Sequence, residues 1–432
     1  MKSPALLILA SLLFFTALQA QSKPDATPFP MPPNIKGIQV QMTDDALTLG
    51  IHHATINVSI GALMDLDKKP SNPHWTCEGE DYAFNSNYLL SLDAQIKPLS
   101  DAGIVVYLIV LAYPTKDAAK DALLVHSKAR ADGNYNIAAF NTATPAGARW
   151  FRACSEFMAA RWSGGEPAHG RVWGWIVGNE VNSHWLWYNL GSMSLTEAAS
   201  EHEKAFRILH QSVRKASLNA RLYLSLDHHW QASMPGISAE EATSGRDYID
   251  TFAKVVRERG DFDWHVAHHP YPDDLGNPRT WLDKAAPPND NAPHVTFKNL
   301  EVLAQHLARP ELLWQGKPRR IILSEQGFHT LATLDGEGLQ AAAFAYAWEK
   351  CQRVPLVDAF IYHRHVDHSH EGGLRLGLWS HAPGSICTPH STKQIYALFK
   401  KAGSPDWNEA AKFALPITGL KDWNELPASE VR

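Results

Sequence analysis

The feature that most restricts the fold is a regular alternation of short apolar runs with longer amphipathic segments. The runs are rich in β-branched and aromatic residues and end at glycine or polar residues, which is typical of buried strands. They lie at 37–42, 51–58, 103–112, 171–177, 221–226, 262–268, 321–323 and 357–362. Helical periodicity follows most of them, so the sequence predicts eight strand–helix units and therefore an α/β fold, the (β/α)8 or TIM barrel.

The lengths of the connecting segments agree with a barrel. Long polar segments at 60–86, 113–143, 269–296 and 363–391 follow strands, whereas the segments that follow helices are mostly short. In a (β/α)8 barrel the functional cleft is built by the loops at the carboxyl ends of the strands. An open doubly wound sheet is the alternative fold, but no glycine-rich phosphate-binding turn follows any predicted strand.

Both ends of the chain are expected to lie outside the barrel, which should occupy residues 35–402. Lys2, the apolar stretch 5–18 and the small residues near Ala20 are typical of a secretory signal peptide over residues 1–20. Residues 21–34 are polar and proline-rich, which predicts a tether or an edge wrap. Residues 403–432 are expected to form a C-terminal wrap and tail. The signal peptide predicts a secreted or periplasmic protein.

Composition limits the partners that the chain can bind. The net charge of -5 and the lack of a basic block argue against nucleic acid. Beyond the signal peptide no apolar run is long enough to span a bilayer, so no membrane partner is expected. Fifteen tryptophans and twelve tyrosines offer flat faces that can stack on sugars, although most aromatic residues in any protein pack in its core. We expect a monomer with a carbohydrate substrate.

The four cysteines are widely spaced and form no CxxC motif. Export would permit disulfides, and three pairings are possible. Cys154 and Cys351 lie on or next to apolar helical segments and are expected to be core residues. Cys77 and Cys387 both lie in predicted loops and are the first pair to test.

Two glutamates follow matched buried strands. Glu180 comes directly after the fourth predicted strand and Glu325 directly after the seventh. In an eight-stranded barrel these positions lie on opposite sides of one mouth. Two carboxylates about 5–5.5 Å apart are what a retaining glycosidase needs, one as nucleophile and one as acid/base. Either glutamate alone could equally form a salt bridge or cap a loop.

Three short motifs occur at these strand ends. Gly178-Asn179-Glu180 follows the fourth strand, His269-Pro270-Tyr271 follows the sixth, and Ser324-Glu325 ends the seventh. In this order they resemble the clan A glycoside hydrolases, a (β/α)8 superfamily that includes cellulases and β-mannanases. The resemblance covers about residues 36–402 and identifies no single family within the clan.

The resemblance implies a role for each matching residue. Glu180 would be the acid/base and Glu325 the nucleophile of a double displacement that cleaves a glycosidic bond in an oligo- or polysaccharide. Asn179 would bind the sugar 2-hydroxyl, and Tyr271 would lie near the nucleophile with His269 on the same wall. This mechanism requires a raised pKa at Glu180, for which we expect apolar neighbours.

The sequence departs from the clan pattern at two positions. Asn57 stands at the end of the second strand, where many members have an arginine that supports the nucleophile. The eighth strand is not closed by the usual tryptophan; the nearest is Trp379, and Arg364 is a second possible substitute. Asn57 and Trp379 therefore become candidate substrate-binding residues, and these departures affect the substrate more than the chemistry.

Further candidates follow the fourth and fifth strands. Trp185 lies in the loop after Glu180, where an aromatic ring could be a sugar platform or could simply pack the loop. Asp227 and Trp230 follow the fifth strand. Asp227 could bind sugar hydroxyls, and it could equally hold its loop.

Two rival functions remain open. Histidine pairs near strand ends, among them His228 and His229, could bind a metal in a metal-dependent hydrolase. Barrel metallohydrolases begin with a His-x-His motif at the first strand, which the run 37–42 lacks, so we expect no metal and no cofactor. The other rival is a non-catalytic carbohydrate-binding barrel, which would have no need for two facing carboxylates.

Overall fold

The computed structural model describes residues 23–130, 137–165 and 168–431 of the 432-residue chain. The predicted signal peptide lies outside the described residues. Eight parallel strands close into one barrel, which confirms the predicted (β/α)8 fold. In chain order they are β1 Lys36–Gln39, β2 His53–Ser59, β3 Val105–Leu111, β4 Val172–Val177, β5 Arg221–Leu226, β6 Trp264–His268, β7 Ile321–Leu323 and β8 Val357–Tyr362.

The strands lie close to their predicted positions, and β5, β7 and β8 match them at both ends. The largest difference is at β1, which was predicted over 37–42 and ends at Gln39. Its continuation leaves the ladder because the Gln41 amide donates to His365 Nδ1 at 3.3 Å, in the loop after β8. A loop histidine therefore takes the hydrogen bond that a neighbouring strand would have accepted.

Helices surround the barrel, and side chains cap the starts of several of them. Thr144 accepts from the Gly147 amide at the start of one helix, and Ser194 and Glu197 form a complete capping box at another. Residues 297–307 form a 3-10 turn followed by a short α-helix. The α-helices are Thr43–Thr48, Ile60–Leu63, Ser86–Asp101, Ala118–Leu124, Pro145–Trp162, Leu195–Ala216, Gly245–Glu258, Glu301–Leu307, Gly336–Gln352, Gln394–Lys401, Trp407–Ala411 and Ala414–Thr418.

The barrel interior is filled by large side chains. Tyr107 and Tyr223 are fully buried there, with ring centroids 5.8 Å apart, and Trp173 lies in the same cluster. Gly174 in β4 makes room for them, because a Cβ at that position would lie 2.0 Å from the Tyr107 ring. The interior is thus a packed core and not a channel, and a ligand can enter only at an end of the barrel.

The end of the barrel at the amino termini of the strands is sealed by residues 23–34. The Asp25 amide donates to the Ala216 carbonyl at 2.9 Å. Phe29 packs edge-on against Trp173 with centroids 5.8 Å apart, and the Arg221 guanidinium lies 3.9 Å from the Phe29 ring. We call this sealed end the base and the opposite end the mouth.

Small sheets extend the loops at the mouth. Strands Met64–Asp65, His74–Cys77 and Glu80–Phe84 form an antiparallel sheet in the loop after β2. Trp379–His381 pairs with Pro389–Thr392 in the loop after β8. Beyond the last barrel helix, the Trp407 indole donates to Glu349 Oε1 at 2.7 Å, which fixes the C-terminal segment against the barrel. None of the described helices is both long and apolar enough to cross a membrane.

All four cysteines are free thiols, so the pairing of Cys77 with Cys387 is wrong for this structure. Cys77 belongs to a strand of the small sheet and is buried near Glu156, and this burial raises the pKa of its thiol to about 12. Cys387 lies between the strands of the other hairpin and is half-buried. Cys154 and Cys351 are buried, as predicted for core residues.

Candidate active site

A cavity of about 520 Å³ opens at the mouth, where the loops after β4 to β8 meet. Glu180 and Glu325 both line it, so the structure brings the two predicted carboxylates to one site. Asn179, Asp227 and Tyr271 also lie on its wall. The other lining residues are Leu186, Trp187, His228, His229, Met234, Leu275, His363, His370, Glu371, Gly372, Leu374 and Leu376.

Glu180 is held in an unusual backbone conformation. Gly178 ends β4 with φ +80°, and a Cβ there would lie 2.8 Å from the Tyr188 ring. Glu180 itself has φ 40° and ψ 53°, a left-handed conformation that is costly for a residue with a side chain. The Glu180 amide donates to Ser225 Oγ at 3.0 Å. The chain thus turns sharply after β4 and directs the carboxylate into the mouth.

The two glutamates approach each other closely. One carboxylate oxygen of Glu180, one of Glu325 and a ring nitrogen of His269 all lie within 4.8 Å of one another. Glu180 is 8% exposed, and Glu325 is half-buried. No guanidinium contacts either carboxylate among the described residues.

His269 connects Glu180 to the barrel. Its Nδ1 lies 2.7 Å from Glu180 Oε1, and its Nε2 lies 3.0 Å from Ser324 Oγ. Burial raises the pKa of Glu180, and the hydrogen bond from His269 only partly offsets this effect. Burial alone would lower the pKa of His269, but its hydrogen bond to Glu180 and the negative charges of the two glutamates raise it. The pair therefore retains protons more strongly than the free side chains would.

Tyr271 contacts the other glutamate. Its hydroxyl donates to Glu325 Oε1 at 3.2 Å, as the motif after β6 predicted. Burial and the neighbouring carboxylates raise the pKa of Tyr271 well above its usual value, so the phenol keeps its proton and remains a donor. His269 and Tyr271, two residues apart, thus hold one glutamate each.

Asp227 lines the cavity, but its oxygens already have protein partners. Oδ1 accepts from the Asn182 side chain at 2.7 Å and from the His229 amide at 2.8 Å, and Ser183 bonds Oδ2. Burial would raise the pKa of Asp227, but the hydrogen bonds and positive charge of His229 outweigh burial and hold it far below the usual value. These contacts match the loop-holding alternative better than sugar binding.

Two predicted aromatic platforms do not reach the cavity. Trp230 is 1% exposed, and its indole donates to the Asp290 carbonyl at 3.2 Å while its ring packs against His306. The Trp185 amide donates to the Glu241 carbonyl, in the loop after β5, at 2.8 Å, and the guanidinium of Arg130, from the loop after β3, lies 5.7 Å from the Trp185 ring. Trp187, two residues later, lines the cavity instead. The 3-10 turn after Glu180 sets this orientation, because the Trp187 amide donates to the Ser183 carbonyl at 3.2 Å.

The two substitutes proposed for clan residues also lie outside the cavity. Asn57 accepts from the Gln39 side chain at 3.1 Å and lines a separate polar pocket of about 230 Å³. Trp379 is half-buried in the hairpin after β8, and its indole donates to Asp45 Oδ2 at 3.0 Å. Neither residue therefore contacts the two glutamates.

Glu371, in the loop after β8, is a carboxylate in the cavity that sequence reasoning missed. Its Oε1 lies 2.7 Å from the Arg364 guanidinium and 3.2 Å from His363 Nε2. Burial would raise its pKa, but the hydrogen bond from His363 and the charge of Arg364 outweigh burial and lower it. Its buried Oε2 has no hydrogen-bond partner among the described residues. The cluster of histidines and arginine at 363–370 was the available signal, because such a cluster requires a counter-charge.

Two groups of side chains at the mouth have the spacing of a metal site. One is Glu180, His269 and Glu325; the other is His228, His229 and His294. In the first group both ring nitrogens of His269 already have hydrogen-bond partners, so the histidine has no lone pair directed at an ion. The second group includes neither of the two glutamates.

Comparisons with known proteins agree with the barrel. A model of the family described as "Family of unknown function (DUF5722)" matches residues 28–426. A comparison with curated protein sequences finds no match.

Similar solved structures include glycoside hydrolases. A family 39 glycoside hydrolase from Bacteroides cellulosilyticus WH2 has a TM-score of 0.54 at 14% identity over 89% of this chain and 66% of its own, so the chain spans about two thirds of that enzyme. A family 1 β-glucosidase from Thermotoga maritima has a TM-score of 0.51 at 11% identity over 84% and 85% of the two chains. The resemblance to clan A enzymes is thus confirmed at the level of the fold.

Proposed function

The chain belongs to DUF5722, a family of unknown function, and we propose that it is a retaining glycoside hydrolase that cleaves a glycosidic bond by double displacement. One observation carries the proposal: an oxygen of Glu180 and an oxygen of Glu325 lie within 4.8 Å of each other in an open cavity. Retaining glycosidases hold their carboxyl groups about 5–5.5 Å apart, whereas inverting enzymes need about 6.5–9.5 Å to admit a water. The short separation supports the retaining mechanism.

The environments of the two glutamates support distinct roles. Glu180 is buried and its pKa is raised, which suits the group that must carry a proton to the leaving oxygen. Glu325 is more exposed and accepts a hydrogen bond from Tyr271, a contact that suits a nucleophilic carboxylate. Leu186 and Trp187, which line the same cavity as Glu180, support the expectation of an apolar environment for the acid/base.

The reaction follows from these positions. Glu325 attacks the anomeric carbon and forms a glycosyl–enzyme ester while the bond to the leaving oxygen breaks, and that oxygen takes the proton of Glu180. Glu180, now a carboxylate, removes a proton from a water that attacks the same carbon. The ester bond breaks, Glu325 is released as a carboxylate, and the sugar leaves with its original anomeric configuration.

The cavity wall is suited to a carbohydrate because it offers apolar surface for the C–H faces of a sugar ring and polar groups for its hydroxyls. Leu186, Trp187 and Met234 offer apolar surface to the C–H faces of a sugar ring. Asn179, beside the acid/base, is positioned to bind a hydroxyl near the reacting carbon. Glu371 lines the same cavity and adds a further carboxylate that sugar hydroxyls can approach.

The proposal includes export from the cytoplasm, which rests on the signal peptide predicted over residues 1–20. Cell fractionation with mass measurement of the processed N-terminus would test export. The proposal also includes a monomeric enzyme, which light scattering of the purified protein would test.

The experiment for the activity compares wild type with Glu325→Ala on a panel of plant, algal and bacterial glycans. We expect wild type to release sugar and the variant to release none. The matched control is Glu409→Ala, which removes an exposed glutamate from the C-terminal helix Trp407–Ala411 and should behave like wild type. Once a substrate is known, NMR of the first product gives its anomeric configuration; inversion would contradict the proposed mechanism.

A trapping experiment identifies the nucleophile directly. A 2-deoxy-2-fluoro glycoside with a good leaving group should accumulate as an ester, and peptide mass spectrometry should find the label on Glu325. A label on Glu371 instead would show that the third carboxylate of the cavity is the nucleophile. Wild type that releases nothing from any glycan would favour the non-catalytic carbohydrate-binding barrel.

A further inference from the structure

Three histidines meet beside the cavity, where the loop after β5 contacts the loop after β6. His228 and His229 come from the first loop and His294 from the second. The ring centroids are 4.6 Å apart for His228 and His229, 4.7 Å for His228 and His294, and 5.0 Å for His229 and His294. One ring nitrogen from each lies within 4.8 Å of the other two.

The backbone fixes this arrangement. His229 and His294 form an isolated antiparallel bridge, and the Val295 amide donates to the His228 carbonyl at 2.9 Å. The three Cα positions are therefore set by paired backbone and not by loose loop ends. Only side-chain rotation is needed to bring the three nitrogens closer together.

Two of the three rings have a carboxylate behind them. His229 Nδ1 lies 3.0 Å from Asp227 Oδ2, and His294 Nδ1 lies 2.8 Å from Asp273 Oδ1. Asp273 is itself held by the Ala285 amide at 2.7 Å. Histidines that bind metals almost always use one ring nitrogen for the ion and direct the other at a carboxylate or carbonyl. In this cluster His294 Nδ1 has such a partner, which leaves its Nε2 for an ion. His229 Nδ1 lies close to Asp227 but is buried without a hydrogen-bond partner among the described residues, so His229 also has a ring nitrogen free for an ion.

We propose that His228, His229 and His294 bind a divalent cation of the zinc class, with Asp227 and Asp273 orienting two of the ligands. Imidazole suits zinc, and three histidines with one open position are a known zinc ligand set. With zinc–nitrogen bonds of about 2.0–2.1 Å, the three nitrogens would lie about 3.4 Å apart, so the rings must close by an ångström or so from their present spacing. The cation would join two long loops that form one wall of the cavity, independently of the glycosidase chemistry.

Packing alone does not explain the cluster. Aromatic stacking would account for the ring distances, but not for the carboxylates aligned behind two of the rings.

The test uses tag-free full-length protein dialysed against a chelator and then titrated with ZnCl₂ by calorimetry. CoCl₂ titrated separately reports the ligands by its visible absorption. We expect wild type to bind one equivalent and His294→Ala to lose this binding. Asp273→Asn, which keeps every ligand and removes one orienting carboxylate, should weaken the affinity by about 10–100-fold. The control is His390→Ala, an exposed histidine in the hairpin after β8, which should bind like wild type.

The outcomes separate this proposal from the proposed activity. Glu325→Gln should still bind one equivalent of zinc although it should not hydrolyse glycosides. Loss of zinc binding in Glu325→Gln would place the ion at the two glutamates and overturn the three-histidine site. Wild type that binds no zinc, or His294→Ala that binds it as tightly as wild type, would overturn it as well. If His294→Ala does not fold, as judged by circular dichroism, Asp273→Asn decides in its place.

Discussion

The base and the mouth of this barrel both contain partly or fully buried carboxylates, but the groups that surround these carboxylates differ. At the base, Asp358 accepts from Arg221 at 2.7 Å and from Arg320 Nε at 3.0 Å, and Phe29 covers the end of the barrel. At the mouth, Glu180 and Glu325 lie within 4.8 Å of each other and are held by an imidazole and a phenol.

The difference is the one expected if the base serves stability and the mouth serves the proposed chemistry. A partly buried carboxylate between two guanidiniums is compensated, and removing it would leave uncompensated positive charge. At the mouth the two facing carboxylates repel each other, and the charge of Glu325 adds to the effect of burial that raises the pKa of Glu180. Such an arrangement costs stability and is typical of sites where protons move. Stability and the proposed chemistry would thus depend on opposite ends of the barrel.

The largest effect is expected from Glu180→Gln at the mouth. Without an acid/base, kcat/KM should fall by about 10²–10⁴-fold on substrates with poor leaving groups. Azide should restore part of the rate and give a product of retained configuration, because a small anion can replace the water that Glu180 activates. Azide rescue with inverted product would instead indicate that Glu180 is the nucleophile.

Glu180→Gln should also change stability in a pH-dependent way. Because the pKa of Glu180 is raised in the folded protein, the folded state binds this proton more tightly than the unfolded chain, and the resulting stability is lost as the pH rises through the folded pKa. Melting temperatures of wild type and variant should agree at acid pH, and the variant should melt higher at neutral pH.

A substitution at the base should instead destabilise the protein. Asp358→Asn leaves two arginines without their counter-charge and should lower the free energy of unfolding by about 2 kcal/mol, between the values for exposed and for buried ion pairs. Urea denaturation measures this loss. The kcat of the folded enzyme should not change, and a large loss of kcat would mean that the base and the mouth are coupled.

His269→Asn tests how far His269 sets the pKa of Glu180. His269 lowers the pKa of Glu180 against the effect of burial, so its removal should raise that pKa further. Activity requires protonated Glu180, so the alkaline limb of the kcat/KM profile should move up by about one pH unit. A purely structural role would lower the rate and leave the limb unmoved.

Tyr271→Phe should have the smallest effect. The change removes one neutral hydrogen bond to Glu325 Oε1, worth about 1 kcal/mol, so kcat/KM should fall by roughly fivefold. The alkaline limb should stay in place because Glu180 keeps its partner. A shift equal to that of His269→Asn would show that the two glutamates titrate as one unit.

The barrel and the two glutamates could be predicted from the sequence because both depend on local patterns. Buried strands can be recognised as apolar runs, and a carboxylate just after the carboxyl end of a strand must lie at the mouth. The orientation of loop side chains could not be predicted in this way. Trp185 and Trp187 are equivalent in sequence, and only the turn at Val181–Ser183 decides which of them lines the cavity.

The remaining differences have the same cause. Asp227 and Trp230 follow a strand, as Glu180 does, but their polar atoms bond other loops: Asp227 bonds Asn182, and Trp230 bonds Asp290. Such contacts join residues 45 or more positions apart, and no local pattern records them. The partnerships of Glu371 with His363 and Arg364 are closer in sequence and could have been proposed from charge alone.

The left-handed turn at Glu180 has an evolutionary consequence. A glycine would adopt φ 40° without the strain that a glutamate bears, and it would also remove a buried carboxylate. A lineage that no longer needed hydrolysis would therefore gain stability by losing this residue, and it would keep the barrel, the cavity and the aromatic wall. A single stabilising substitution of Glu180 by glycine would thus give an inactive descendant that still binds sugar. Purifying selection on catalysis opposes this substitution.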